Sequence, residues 1–272
     1  MSTATAAKSI GAHYAIELDD VGLIYRSENR TTNALEGVLA SLAPGTVTAF
    51  VGPSGCGKSS LVKLVAGLLK PTAGHIRVNG TPVSAPRSDI GVAFQNPTMM
   101  PWRTVLQNIL ISAEVSSHHR AEFRTNPERF RARGLELLQL VGLKGVENAR
   151  PWELSGGMQQ RVSLCRALIH SPNVLLLDEP FAALDAFTRE ELWDVAQDIF
   201  LAQRPTIMLI THDLREALYL ADRVLVMARG PGRIIDEVQV AFARPRSPRT
   251  LFEKEFGDLV FHLREAIAGA MR

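Results

Sequence analysis

The sequence lacks the features that would place the chain in a membrane, in an oxidising compartment or on nucleic acid. Its 272 residues include only two cysteines, Cys56 and Cys165, which form no disulfide framework and fit a reducing compartment. No apolar run approaches the ~18 residues needed to cross a bilayer, and residues 1–11 have no apolar stretch typical of a signal peptide. The formal net charge is only +2, so we expect no nucleic-acid partner bound through a strongly basic surface.

The residues that are present indicate one α/β domain with a helical insertion. Apolar residues make up 46% of the chain, which is ample for a core. The short apolar runs 174–177 and 206–210 predict strands that are covered on both faces of a parallel sheet. The other expected elements are a flexible tail at 1–12, strands at 15–18, 22–25 and 47–51, a hairpin turn at Asn79-Gly80 and a mostly helical region at 98–153.

Three helix predictions depend on a few residues each. The helix that follows residue 59 is predicted to bury Leu68 and to end at Pro71. Thr188 and Glu191 predict a capping box at the start of a later helix. Residues 250–268 predict an amphipathic helix, which we interpret as a solvated surface helix, with contact to anionic lipid headgroups as the alternative.

Residues 52–59 match the glycine loop that binds the phosphates of a nucleoside triphosphate. A predicted strand precedes the loop and a helix follows it, as this motif requires. Its glycines let backbone N–H groups converge on phosphate oxygens, while Lys58 is predicted to reach the β- and γ-phosphates and Ser59 to coordinate Mg²⁺. Cys56 has no histidine near it in sequence, so we interpret it as a variable loop position. The predicted nucleotide-binding residues of this loop are Gly52, Pro53, Ser54, Gly55, Cys56, Gly57, Lys58, Ser59 and Ser60.

Two acidic residues and a histidine follow the predicted parallel strands. Asp178 is predicted to hold Mg²⁺, directly or through water, and Glu179 to act as general base on the attacking water. His212 follows the strand 206–210, at the edge of the sheet where α/β proteins bind ligands. We predict that it contacts the γ-phosphate and holds Glu179 and the water in line. Acids that merely solvate a strand end are the alternative.

The segment 154–161, Leu-Ser-Gly-Gly-Met-Gln-Gln-Arg, predicts a second anion site. Ser155 can cap a helix, while Gly156 and Gly157 leave backbone N–H groups bare at its N-terminus. One chain with two separated phosphate sites suggests a head-to-tail homodimer. In that dimer each such segment closes over the nucleotide that the partner's glycine loop holds.

These motifs together resemble the nucleotide-binding domains of ABC transporters, and the resemblance spans about residues 15–240. It implies a P-loop ATPase fold with a RecA-like core, an N-terminal antiparallel β subdomain and a helical insertion at about 98–165. The implied nucleotide-binding domain covers 13–240, and a C-terminal extension follows at 241–272. It also implies ATP and Mg²⁺ as cofactors. The family more often has serine where Ala183 stands. The residue roles implied by the resemblance are adenine stacking for Tyr25, contact with Mg²⁺ and the attacking water for Gln95, a dimer-seam position for Asp185, and contact with the partner's ATP for Ser155, Gly156, Gly157, Gln159 and Asp185.

A narrower resemblance concerns the importer branch that handles nitrate, sulfonate and taurine. The segments 95–105, 178–189 and 230–234 look like that branch. The resemblance implies an ATP-hydrolysing subunit, peripheral on the cytoplasmic face of the membrane, that works with permease subunits and indirectly with a periplasmic solute-binding protein. It leaves the transported solute open. Met99, Met100 and Trp102 are interpreted either as core residues or as a groove for a short helix of the permease.

Three other functions are weaker interpretations of the same motifs. A soluble ABC-type regulator of ribosomes or DNA usually has two cassettes or zinc-binding cysteines, whereas this sequence has one cassette and no cysteine cluster. A non-hydrolysing interaction module is disfavoured by the intact Lys58, Asp178, Glu179 and His212. An exporter is disfavoured by the stretch 101–104.

Overall fold

The computed structural model describes residues 14–27, 30–182 and 184–270. The expected tail at 1–12 therefore lies outside the described residues. The first sheet is antiparallel and has the order β2-β1-β4-β5. Its strands are β1 (Ile16–Ser27), β2 (Arg30–Leu42), β4 (Ala73–Val78) and β5 (Thr81–Pro82).

The first sheet confirms the hairpin prediction and merges two predicted strands. The expected strands at 15–18 and 22–25 are parts of the continuous β1, whose pairing with β2 shifts register between Leu18 and Ile24. Asn79 and Gly80 connect β4 to β5 with φ values of 50° and 72°. Positive φ at both central residues is what a two-residue hairpin turn requires, and it explains why these residue types occur there.

The second sheet is mostly parallel and has the order β10-β9-β3-β8-β7-β6. Only β10 pairs antiparallel in it. Its strands are β3 (Val47–Val51), β6 (Ile90–Ala93), β7 (Val174–Asp178), β8 (Thr206–Ile210), β9 (Arg223–Ala228) and β10 (Arg233–Gln239). Every residue of β3, β7 and β8 is buried, as the apolar runs predict for strands covered on both faces. The carboxyl ends of the parallel strands consequently meet along one edge.

Helices cover both faces of this sheet. One apolar core lies between the second sheet and the helices from α2 onward, and the other joins the first sheet, α1 and the opposite face. The helices are α1 (Lys58–Val65), α2 (Val105–Val115), α3 (Arg120–Thr125), α4 (Pro127–Leu140), α5 (Gly156–Leu168), α6 (Ala186–Gln203), α7 (Leu214–Leu220) and α8 (Lys254–Gly269), with 3-10 turns at Pro151–Glu153 and Pro248–Phe252. In the described ranges, no helix combines the length and hydropathy needed to span a membrane. The layout confirms the predicted α/β fold with a helical insertion.

The expected end of α1 was wrong. The helix ends at Val65 rather than at Pro71, and Leu68 is 50% exposed. The cause is Gly67, which has a φ of 73° and closes the helix in the left-handed conformation. A Cβ at Gly67 would lie 2.3 Å from the carbonyl oxygen of Ala85, so no larger residue fits there.

The predicted capping box of Thr188 and Glu191 was also wrong. Helix α6 begins at Ala186, and the N-cap is Asp185, whose side chain accepts a hydrogen bond from the Thr188 backbone N–H at 3.1 Å. Aspartate is at least as good an N-cap as threonine. The earlier cap therefore adds nearly one turn to the start of the helix.

The C-terminal segment is attached to the rest of the chain through a buried arginine. Arg246 is 3% exposed, and its guanidinium donates to the carbonyl oxygens of Leu218, Tyr219 and Ala221 at the end of α7. Burial lowers the pKa of Arg246 to about 10. Helix α8 buries Phe256 and Leu263 against the larger core, so it is a surface helix with one packed face.

Candidate active site

A cavity of about 760 Å³ lies where the carboxyl edge of the second sheet faces the first sheet. The strand ends bring to this cavity residues that are more than a hundred positions apart in sequence. Its lining residues are Tyr25, Arg30, Thr32, Asn33, Ala34, Ser54, Gly55, Gly57, Lys58, Ser59, Ser60, Gln95, Glu179, His212, Arg229 and Gly230. A cavity of this size accommodates a ligand as large as a nucleotide.

The glycine loop wraps around the Lys58 ammonium. Lys58 Nζ donates to the carbonyl oxygens of Gly52 at 2.7 Å and Pro53 at 3.1 Å. Gly57 precedes the first residue of α1 with a φ of 96°, and a Cβ there would lie 2.5 Å from Leu35 Cδ2. The turn from β3 into α1 therefore requires glycine, and it points the start of the helix at the cavity, where its dipole favours an anion.

Three of the predicted loop residues support the cavity from behind. Within the described ranges, the cavity lining does not include Gly52, Pro53 or Cys56. A Cβ on Gly52 would lie 2.4 Å from the Met227 carbonyl oxygen, so the loop is packed tightly on β9. The Cys56 thiol is fully buried, with Sγ 3.7 Å from Lys58 Nζ. The structure thus gives these three residues supporting positions rather than exposed ones.

Ser59 and Asp178 meet at the floor of the site. The Ser59 hydroxyl donates to Asp178 Oδ1 at 3.0 Å, and Asp178 is 4% exposed. Burial is the main cause that raises the pKa of Asp178 above its usual range. A hydroxyl and a buried carboxylate are oxygen ligands of the kind that Mg²⁺ prefers, and a cation here would compensate the buried charge. These two residues therefore fit the predicted magnesium site.

Glu179 receives two polar neighbours from other strand ends. Gln95 Nε2 donates to Glu179 Oε2 at 2.9 Å, and His212 Nδ1 lies 3.3 Å from the same oxygen. Glu179 itself has a φ of 49°, and its backbone N–H donates to the Ile210 carbonyl at 2.8 Å. A glutamate in the left-handed region is uncommon and marks a conformation that the surrounding structure imposes. The three predicted catalytic residues are thus brought together around one carboxylate.

The outer part of the cavity is lined by Tyr25 and by three residues that sequence reasoning missed. Tyr25 is 40% exposed, and its hydroxyl lies 3.0 Å from Ser60 Oγ. Arg30, Asn33 and Arg229 also line the cavity. Arg229 follows Ala228, the last residue of the parallel strand β9, so its place at the functional edge could have been inferred from strand order alone.

The connection that carries Arg229 is packed on the glycine loop. Gly232 donates its backbone N–H to the Ala34 carbonyl at 3.0 Å and accepts from Glu36 N–H at 3.0 Å. A Cβ on Gly232 would lie 2.0 Å from the Cys56 carbonyl oxygen, so glycine is required. This contact holds the Arg229 backbone beside the cavity.

The residues predicted to contact the partner's nucleotide lie outside the cavity of their own chain. Ser155 caps α5 by accepting the Met158 N–H at 3.3 Å, and a Cβ on the exposed Gly156 would meet nothing within 4 Å. Gln159 Nε2 donates to the Pro151 carbonyl at 2.9 Å. Asp185 is exposed, and its hydrogen bond from Thr188 lowers the pKa of its carboxyl. Ala183 lies outside the described residues.

Comparison with known proteins agrees with this geometry. The ABC transporter family model matches residues 35–182. The aliphatic sulfonates import ATP-binding protein SsuB of Bacillus subtilis is 43% identical over 223 residues, which is 82% of this chain and 84% of that protein. The nitrate import ATP-binding protein NrtD of Synechococcus elongatus is 41% identical over 88% of this chain and 85% of its own length. The dimeric post-hydrolysis structure of the ATP-binding cassette MJ0796, bound to ADP and Pi, is 27% identical with a TM-score of 0.71, covering 84% of this chain and 100% of that chain.

Proposed function

The chain belongs to the ABC transporter family and is an ATPase, and we propose that it energises an importer of a small anionic solute of the nitrate, sulfonate or taurine type. The observation that carries the hydrolytic part is the convergence of Lys58, Gln95, Glu179 and His212 on one cavity. The solute class is supported by the relatives that are about 40% identical to this chain.

ATP occupies the cavity with its phosphates on the glycine loop and its adenine on Tyr25. The loop residues that line the cavity supply backbone N–H groups, and Lys58 exchanges its carbonyl partners for phosphate oxygens. Ser59, Asp178 and Gln95 would hold Mg²⁺, which neutralises charge on the β- and γ-phosphates when it is bound. The hydrogen bond between the Ser59 hydroxyl and the buried Asp178 supports this assignment.

Glu179 acts on the attacking water. Its carboxylate accepts a proton from the water as the water approaches the γ-phosphate, while Gln95 and His212 hold the carboxylate in place through the contacts at 2.9 Å and 3.3 Å. Hydrolysis here depends on positioning and charge stabilisation, and no covalent intermediate with the protein is needed.

Two copies of the chain form a head-to-tail homodimer that encloses two ATP molecules. Ser155, Gly156 and Gly157 present a capped helix N-terminus that suits the γ-phosphate of the partner's ATP, and Asp185 and Gln159 lie at the same seam. The proposal is supported by the exposure of Ser155, Gly156 and Asp185 and by the dimeric cassette that this fold resembles.

The dimer works on the cytoplasmic face of the membrane through permease subunits, with a periplasmic solute-binding protein as an indirect partner. Trp102 is 70% exposed, and Met99 and Met100 are partly buried, directly after the segment that carries Gln95. Met99 packs against the larger core, whereas the exposed Trp102 suits contact with a short permease helix. We assign 13–240 to the nucleotide-binding domain, about 98–165 to its helical part and 241–272 to an extension.

Transport assays test the proposal. The chain is co-purified with a candidate permease, placed in lipid vesicles and supplied with ATP and a candidate solute-binding protein. We expect sulfonate, taurine or nitrate to raise the ATPase rate and to be taken up. Stimulation by none of these anions would contradict the solute class, and transport in the opposite direction would contradict import.

A further inference from the structure

We propose that Arg189 is a positioning residue for ATP hydrolysis, because it joins the segment that begins at Glu179 to the loop that carries His212. The inference rests on the roles proposed above for Glu179 and His212. It concerns a residue outside the cavity whose side chain contacts both loops that place the catalytic groups.

The guanidinium of Arg189 makes one hydrogen bond to each of two loops. Nη1 donates to Asp213 Oδ2 at 2.9 Å, and Nη2 donates to the Leu184 carbonyl oxygen at 2.9 Å. Arg189 lies in the first turn of α6, so its backbone is fixed by the helix. A planar guanidinium holds two acceptors at a set separation, which an ammonium cannot do.

The first contact fixes the residue beside His212. Asp213 is the N-cap of α7, and its Oδ1 accepts the backbone N–H groups of Arg215 at 2.9 Å and Glu216 at 3.2 Å. Its own N–H donates to Thr211 Oγ1 at 3.0 Å. Hydrogen bonds therefore hold Thr211 and Asp213, the residues on either side of His212. Arg189 donates to the second carboxylate oxygen of Asp213.

The second contact fixes the far end of the segment that begins at Glu179. Ala182 N–H donates to the Glu179 carbonyl at 3.3 Å, and Leu184 N–H donates to the Phe181 carbonyl at 3.2 Å. Leu184 is buried, and a Cβ on Gly157 would lie 2.7 Å from its Cδ2. Arg189 thus clamps a turn that starts at the strained Glu179 and ends against α5.

The charges explain why arginine suits this place. The side chains of Arg189 and Asp213 are 26% and 23% exposed, so water screens their attraction less than that of a surface pair. Glu216 is buried nearby, and burial, followed by Asp213, raises its pKa to about 8. The cation of Arg189 faces both acids and opposes the rise in the Glu216 pKa, so it offsets the negative charge of this cluster.

A substitution of Arg189 should lower kcat for ATP hydrolysis and leave the affinity for ATP nearly unchanged. In the part of the chain that the structure describes, the cavity lining includes Glu179 and His212 but neither Arg189 nor the two residues it contacts. We therefore expect Arg189→Ala to lower kcat by about tenfold or more through misplacement of the catalytic groups, with ATP affinity changed by less than about twofold. Arg189→Lys, which can satisfy one acceptor at a time, should fall between Arg189→Ala and the unchanged protein.

The experiment measures kcat and KM for ATP, binding of a fluorescent ATP analogue and the melting temperature. Arg215→Ala is the matched control, because Arg215 is an exposed arginine at the start of α7 whose backbone, not its side chain, bonds Asp213. Its kcat should equal that of the unchanged chain. A merely structural role for Arg189 would lower the melting temperature without a selective loss of kcat.

A folded Arg189→Ala variant with an unchanged kcat, or one whose loss of rate is matched by an equal loss of affinity, would overturn the inference. If that variant does not fold, Arg189→Lys decides, because an unchanged kcat in it is incompatible with a need for both contacts. Failure of solute-stimulated transport with these kinetics intact would contradict the proposed importer function alone.

Discussion

Two helix N-termini of this molecule are built from the same residue types but lie in opposite surroundings. The start of α1 is enclosed, since Gly57 has no room for a Cβ and Lys58 is 6% exposed. The start of α5 is open, since a Cβ on Gly156 would meet nothing within 4 Å and Ser155 is exposed. The start of α1 is thus enclosed by its own chain, whereas we propose that the start of α5 becomes an enclosed anion site only when a second copy covers it.

The largest expected effect is the loss of hydrolysis at the enclosed site. Glu179→Gln keeps the shape of the side chain but removes the base, so we expect kcat to fall by about a hundredfold or more while ATP still binds. Phosphate release and binding of a fluorescent ATP analogue measure the two quantities. Glu191→Gln, at an exposed position of α6, is the control. Full activity of Glu179→Gln would remove Glu179 from the base role.

A substitution at the start of α5 should abolish ATP-dependent dimerisation. Gly156→Asp has room for its side chain but puts a negative charge where the partner's phosphate is proposed to lie, so we expect kcat to fall by about tenfold or more with ATP binding to the monomer retained. Size-exclusion chromatography with ATP should show no dimer. Gly257→Asp, at an equally open glycine of α8, should change neither property. A normal ATP-dependent dimer in Gly156→Asp would contradict the proposed seam.

A smaller effect is expected at the rim of the enclosed site. Arg229 lines the cavity, so Arg229→Ala should weaken ATP binding by about three- to tenfold through loss of a cation near the nucleotide. Arg233→Ala is the matched control, because Arg233 is exposed at the start of β10 and is not among the cavity-lining residues that the structure describes. Equal affinities of the two variants would exclude a direct role for Arg229.

The smallest expected effect concerns stability outside both anion sites. Burial raises the pKa of Glu216 to about 8, from an ordinary 4.5. The unfolded chain loses this proton between those values while the folded chain keeps it, so the stability contributed by Glu216 falls as pH rises from about 4.5 to 8. Glu216→Gln has no proton to lose. We expect its melting temperature to exceed that of the unchanged chain by a few degrees at pH 8 and to match it at pH 5.

Most of the enclosed site was predictable from sequence because its residues occur in short motifs at the ends of apolar strands. Lys58 and Ser59 follow β3, Glu179 follows β7, and His212 follows β8. Strand order then brings them together, as the parallel sheet requires. Their chemical roles stay predictions, which the variants above test.

Residues without such a motif escaped prediction. Arg30, the first residue of β2, reaches the cavity from the first sheet. Arg189 joins two loops that are 29 positions apart, Leu184 and Asp213. Local patterns do not record pairings of this kind, because a pairing depends on how the elements pack.

The helices α1 and α6 were predictable from the sequence, but the residues at which they end or begin were not. The sequence identified the helices after the glycine loop and after 178–185, but it placed their ends wrongly. Gly67 ends α1 because the chain passes too close to Ala85 for any Cβ, and Asp185 begins α6 because its side chain reaches the Thr188 N–H. Both competing signals, Pro71 and Thr188, were physically reasonable.

The sequence by itself determined the family, the fold class and the chemistry available at the strand ends, because apolar periodicity and glycine-rich motifs act over a few residues. Only the tertiary structure decided that Arg30 joins the cavity lining, how Arg246 attaches the C-terminal segment, and that the start of α5 is open to solvent. These features depend on contacts between distant parts of the chain, and their energies come from burial and hydrogen-bond geometry that exist only after the elements have packed.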